Sequence, residues 1–194
     1  MLEIKNQSPN LVTLGGGAIS QIAVKDQLVW PKGKKYRYLR RNISALQWWT
    51  SWSSAMTMQA SEFELLIWST KFVWPSWTTI STNATHSGES ETIDKLIDWN
   101  TNTKRCPNNL SWSWPLYAQI DFWDKIDLSS ITNWRWYNWN DTASYTVRNP
   151  ASWSIQVSND LIDWKTISTF TSSESKSNTN YWIAYTWSIN WENI

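Results

Sequence analysis

Glycine is scarce: the 194-residue chain contains five, where an ordinary protein carries about 7%. Tight turns must therefore be made mostly by other residues. The single cysteine, Cys106, excludes an internal disulfide and a multi-thiolate metal centre. The single histidine, His86, has no second histidine or cysteine at ligand spacing. Neither sign of charge dominates, since 17 Lys and Arg face 16 Asp and Glu for a formal charge of +1, so a dedicated nucleic-acid binder is not expected. No run of about 18 apolar residues occurs, and residues 1–10 do not read basic-then-apolar. Neither membrane insertion nor a signal peptide is expected.

Present in excess are 26 Ser, 19 Thr and 17 Asn, residues that suit the wet faces of antiparallel strands and their turns and disfavour long helices. With 41% hydrophobic and 15% aromatic residues the chain can bury a core, and its length fits one domain of about 130–150 residues plus an appendage. A soluble, all-β protein is expected. The second excess is 19 tryptophans. Trp30, Trp134, Trp136, Trp153 and Trp164 stand in strand contexts, where an indole is at home. Trp68, Trp99, Trp123 and Trp139 stand in bends such as Asp98-Trp-Asn100 and Phe122-Trp-Asp124. Bends of this kind often need a positive φ, which glycine adopts freely and a bulky residue only at about 1–2 kcal/mol. Positions 52, 68, 77, 99, 123, 139, 187 and 191 are the candidates for an opal codon read as glycine in the source organism. A genuine surface of sugar-stacking indoles is the alternative.

Residues 1–35 read as a small N-terminal β leader and linker. Leu11 to Leu14, Ala18 to Val24 and Gln27 to Trp30 are short β runs, and the stretch from Pro31 to Lys35 has the composition of an exposed connection. Residues 36–194 read as an antiparallel two-sheet sandwich. Ala118, Ile120 and Phe122 alternate with polar residues, Trp134 and Trp136 flank Arg135, and Trp153, Ile155 and Val157 alternate with Ser154 and Gln156. Residues 91–97 hint at a helical turn. The apolar phase of Met56, Met58 and Ala60 slips before Phe63 and Leu65, which predicts a bulge near Ser61-Glu62 that re-aims Glu62.

No enzyme constellation emerges: the chain has no Ser-x-Gly elbow, and Gly15-Gly-Gly17 lacks the Lys-Ser/Thr of a phosphate loop. A cation site is more promising, because Asp98, Asn100 and Thr103 crowd hard oxygen donors into one turn of the kind Ca²⁺ takes. A metal-free Asx turn is the alternative.

Five ordered blocks carry a resemblance. Met58-Gln-Ala-Ser-Glu-Phe-Glu-Leu65, Leu96-Ile-Asp-Trp-Asn-Thr-Asn-Thr-Lys104, Tyr117-Ala-Gln-Ile-Asp-Phe122, Asn140-Asp-Thr142 with Arg148-Asn-Pro-Ala-Ser-Trp153, and Val157-Ser-Asn-Asp160 with Trp164 resemble the discoidin family, the coagulation factor V/VIII type C domains. The resemblance spans roughly residues 45–187 and implies a galactose-binding-like jelly roll. The Ser-Glu-Phe-Glu block, which usually closes such a domain, here precedes the Asp-x-Asn-x-x-Thr block, as a circular permutation would arrange it. The leader, with Leu-Gly-Gly-Gly and Leu-Val-Trp, looks like the short β-rich leaders of bacteriophage tail and structural proteins.

The resemblance implies a structural calcium on Glu62, Asp98 and Thr103, and a sugar site on loops at one end of the sandwich. An aromatic face suits a sugar ring and planar polar groups suit its hydroxyls, which makes His86, Arg105, Trp114, Asn140, Asp141, Tyr145 and Arg148 the ligand candidates. The expectation is a non-catalytic carbohydrate-binding module of a phage virion or tail-associated protein that contacts a cell-surface glycan on the host. It would act in many copies, as a homo-oligomer within an assembly, and join other virion subunits through residues 1–30. A virion decoration protein without a sugar ligand and an accessory domain of a glycan-degrading enzyme are the alternatives.

Overall fold

The computed structural model describes residues 13–14, 17–18, 22–24, 27–30, 34–46, 59–86, 88–108, 115–138, 150–171 and 184–191. The chain divides into two units, Met1–Gly33 and Lys34–Ile194. In the first, β1 (Thr13–Leu14) pairs antiparallel with β2 (Gly17–Ala18), and β3 (Ile22–Val24) with β4 (Gln27–Trp30). Of the apolar stretch from Ala18 to Val24, Ala18 belongs to β2 and Ile22–Val24 to β3.

The second unit is an all-β sandwich. Its strands are β5 (Lys35–Leu46), β6 (Glu62–Ile67), β7 (Thr70–Lys71), β8 (Thr79–Thr82), β9 (Thr85–His86), β10 (Pro107–Asn108), β11 (Leu116–Asp127), β12 (Asn133–Tyr137), β13 (Pro150–Ser158), β14 (Lys165–Thr171) and β15 (Ala184–Ser188). One sheet runs β14-β13-β5-β11-β8 and the other β15-β12-β6-β7, with β9 and β10 forming a separate ladder. All the pairings are antiparallel. Lys35, which composition places in the connection, opens β5. Residues 91–97 contain a single 3-10 turn, Ile93–Leu96.

The period-two runs face inward as their alternation requires. Ile120, Phe122, Trp134, Trp136, Trp153, Ile155 and Val157 are all buried in one core. The Trp153 indole packs edge-on against Trp134 and Trp136, with centroids 4.7 and 5.1 Å apart, an aromatic geometry that adds to area burial. The β6–β12 register runs unbroken from Glu62 opposite Tyr137 to Leu66 opposite Asn133, and just before it the Ser61 N–H donates to the Tyr137 carbonyl at 3.1 Å, so Ser61 and Glu62 together face the single residue Tyr137, the two-against-one pattern expected there. The chain also changes partner here, since Ala60 bridges to Arg105.

Register also fixes the ends of the sandwich. Leu116 lies opposite Ile43, Ala118 opposite Thr82, and Pro150 opposite Leu46, while Arg41 of β5 stacks on Trp136 of β12. The last residues of β5, β8 and β12 and the first of β6, β11 and β13 therefore share one end. At the other end Tyr36 stacks on Trp191, with centroids 6.4 Å apart and planes at 13°.

Among the described residues four non-glycine positions have a left-handed φ: Trp68 (58°), Trp99 (65°), Trp123 (61°) and Leu161 (67°). Three of the positions singled out as bends that call for glycine are in this group. Trp77 is exposed without a positive φ. Trp187 belongs to β15, paired with Trp134, and Trp191 packs against Tyr36 while its indole N–H donates to the Ile131 carbonyl at 2.7 Å. Neither of those two has a left-handed φ, so the backbone lends the glycine expectation no support there. Trp52 and Trp139 lie outside the described residues.

Candidate functional site

The loop end of the sandwich is held together by short polar turns. In the turn from Asp98 to Thr103, the Asp98 carboxylate accepts the Asn100 N–H at 3.0 Å and the Thr103 hydroxyl at 2.8 Å. The Asn100 side chain accepts the Asn102 N–H at 3.0 Å. These are Asx-type bonds that the residue types themselves dictate. They hold the carboxylate of Asp98 near Glu62, the first residue of β6.

Glu62 is buried, and its Oε2 has no hydrogen-bond partner among the described residues. Burial, then the charges of Asp98 and Glu64, push its carboxyl up to about 8, against the smaller opposing pull of the Asn100 N–H and Lys71. An unpartnered buried carboxylate oxygen beside a second carboxylate is the electrostatic setting a hard cation relieves. The donor set fits such an ion: the Glu62 and Asp98 carboxylates, with neutral oxygens from Asn100, Thr103 and the turn carbonyls to complete the shell. Among the described residues no three His, Cys, Asp or Glu side chains form a metal cluster, so these neutral oxygens would be needed.

Arg105 follows that turn. Its backbone exchanges hydrogen bonds with Ala60, at 2.8 and 3.0 Å, and its buried guanidinium donates to the carbonyls of Glu91 and Ala84, each at 3.3 Å. Burial lowers its pKa to about 10. Arg105 thereby ties the 84–91 segment to the start of the second sheet. The neighbouring β9–β10 ladder sets His86 opposite Pro107, so His86, expected on a loop, occupies a short strand. Trp114, Asn140, Asp141, Tyr145 and Arg148 lie outside the described residues. The strands that bound them, β11, β12 and β13, meet the same end as Glu62 and Arg105.

The family models, the curated proteins and the solved structures contain no match to this chain.

Arg41 was missed by the sequence argument. It shares the inward phase of Leu39 and Ile43 on β5, and that phase is the signal that could have found it. Its guanidinium is buried between the indoles of Trp136 and Trp153, 3.1 and 3.5 Å from their centroids. None of its three nitrogens has a hydrogen-bond partner among the described residues, and burial lowers its pKa well below the usual arginine value. Arg41 and Arg105 both line a cavity of about 10 Å³ with Leu96 and Tyr117, the space of a single water. Glu64, also buried, pairs with Lys71 and with Arg135 at 3.5 Å, which compensates its charge.

Proposed function

We propose that this chain is a non-catalytic carbohydrate-binding module of a bacteriophage virion or tail-associated protein, which contacts glycans on a host surface. The observation that carries the reading is the gathering of polar loops at one end of a rigid sandwich. There the Asp98 turn, Arg105 and the β9–β10 ladder with His86 surround the starts and ends of six strands. Loops anchored on packed strands hold polar groups in the fixed array that neutral hydroxyl recognition requires. A calcium ion at Glu62, Asp98, Asn100 and Thr103 would serve as a brace for that platform, binding without chemistry of its own.

The test sets loop residues against core residues. Arg148→Ala and His86→Ala should weaken glycan binding on an array while leaving stability within about 0.5 kcal/mol. Trp153→Ala, which removes an indole from the core, should cost about 3–5 kcal/mol. Full affinity in both loop variants would place the site elsewhere. A wild-type chain that binds nothing across a broad array would leave the decoration reading, which the separate two-stranded pairs β1-β2 and β3-β4 favour.

A further inference from the structure

We propose that the polypeptide made in the source cell carries glycine at positions 68, 99 and 123, each encoded by an opal codon that its ribosomes read as glycine. Tryptophan supplies three of the four non-glycine residues with left-handed φ among the described residues. Asn, Asp and His are the side chains that ordinarily tolerate this region, and bulky ones are outliers there. The fourth, Leu161, lies in a turn where Ser158 Oγ accepts its N–H at 3.1 Å. Thr132 accepts the Trp68 N–H at 2.8 Å and Asp121 the Trp123 N–H at 2.7 Å in the same way, so the case for glycine rests on the turn types and on exposure.

Each of the three tryptophans stands where the backbone asks for glycine for its own reason. Trp68 is the first of two residues between the paired Ile67 and Thr70. It has a positive φ and Ser69 does not, the pattern of a type II′ hairpin whose first central residue is glycine. Trp99 follows the Asp98 side chain that caps its turn. Trp123 sits where the β11–β5 register shifts between Asp121 and Ile126, a bulge, where a left-handed residue is characteristically glycine.

Packing separates two populations of tryptophan. Trp68, Trp99 and Trp123 are 79%, 42% and 60% exposed, whereas Trp134, Trp136 and Trp153 are at most 4% exposed. The buried indoles also use their chemistry: Trp134 donates to Ser168 at 2.8 Å and Trp136 to Asn138 at 3.2 Å. Strain and exposure thus coincide at 68, 99 and 123, and relaxed geometry and burial at 134, 136 and 153, while Trp77, exposed with no left-handed φ, belongs to neither set. A single residue assignment translated from two codons accounts for both sets. One consequence concerns ligand binding: the exposed indoles at 68, 99 and 123 form no stacking platform in the natural protein.

The decisive measurement is peptide mass spectrometry of the protein purified from its source cells, read beside its coding sequence. The expected result is glycine mass and UGA at 68, 99 and 123, with tryptophan mass and UGG at 134, 136 and 153. Tryptophan mass or UGG at the three turn positions overturns the proposal. In a recombinant chain, the combined Trp68→Gly, Trp99→Gly and Trp123→Gly variant should melt several degrees higher than the chain with tryptophan. Trp153→Gly should melt far lower or fail to fold. A triple variant that melts lower removes the strain on which the inference stands.

Discussion

Arg41 puts a cation where the sandwich offers almost nothing but hydrocarbon and indole. Two flanking rings each return about 2 kcal/mol or more, and desolvating a guanidinium costs several kcal/mol, so the two effects nearly balance. Arg41→Met keeps the length and apolar stem and removes the charge. Its expected effect is neutral to stabilising by about 1–4 kcal/mol in urea melts, and a loss of stability would mean that the cation–π sandwich outweighs desolvation. Glu62 makes the opposite case at the same scale. Its carboxyl titrates at about 8 when folded and in the ordinary carboxylate range when unfolded, so between those limits the folded state binds the extra proton. Stability in chelator should fall as pH rises from about 4.5 to 8. Glu62→Gln should flatten that slope, and an unchanged slope in the variant would assign it to another group.

Turns and strands carry the cation argument further. If the 98–103 turn and the start of β6 share a calcium ion, melting in millimolar calcium should exceed melting in chelator. The gain is about 2.7 kcal/mol when the ion is at a hundredfold excess over Kd, and Glu62→Gln should abolish it. Identical curves in calcium and chelator would leave the turn as an Asx structure alone. At this scale the sequence was legible where a strand has one wet and one buried face: β12 and residues 152–157 of β13 follow their alternation residue by residue, and β11 does so around Ile120 and Phe122, before its register shifts. β5 was not legible, although it is hydrogen-bonded on both sides, to β13 and β11. Its inward set includes Arg41, and its outward set includes Arg37, paired with Asp121 at 2.9 Å, and Arg40, stacked 3.8 Å from the Trp164 ring. A strand with basic residues on both faces shows no apolar period, because the partners that make those residues acceptable are over 80 positions away. The Asp98 turn was legible because its bonds are local. Its proximity to Glu62 depended on how β6 pairs, which local patterns do not encode.

For the whole molecule, the division at Gly33 yields a deletion experiment. A chain beginning at Lys34 should fold with the melting point of the sandwich, since among the described residues the core lies at or beyond Tyr36. It should also lose any higher-order assembly in sedimentation if β1 to β4 supply the subunit contacts. Failure of the truncated chain to fold would show that the hairpins complete the core. The stacking of Tyr36 on Trp191 has a bearing on how such a module is mounted. Lys34, whose carbonyl accepts the Leu128 N–H at 2.9 Å, and Trp191 mark where the chain enters and leaves the sandwich. Both sit at the pole away from the Asp98 turn and Arg105. Anything fastened through either end grips that one pole, and the opposite pole stands off from the mount by the length of β5, 12 residues or about 40 Å. A lattice of copies held this way would present its loops outward as a layer of uniform height.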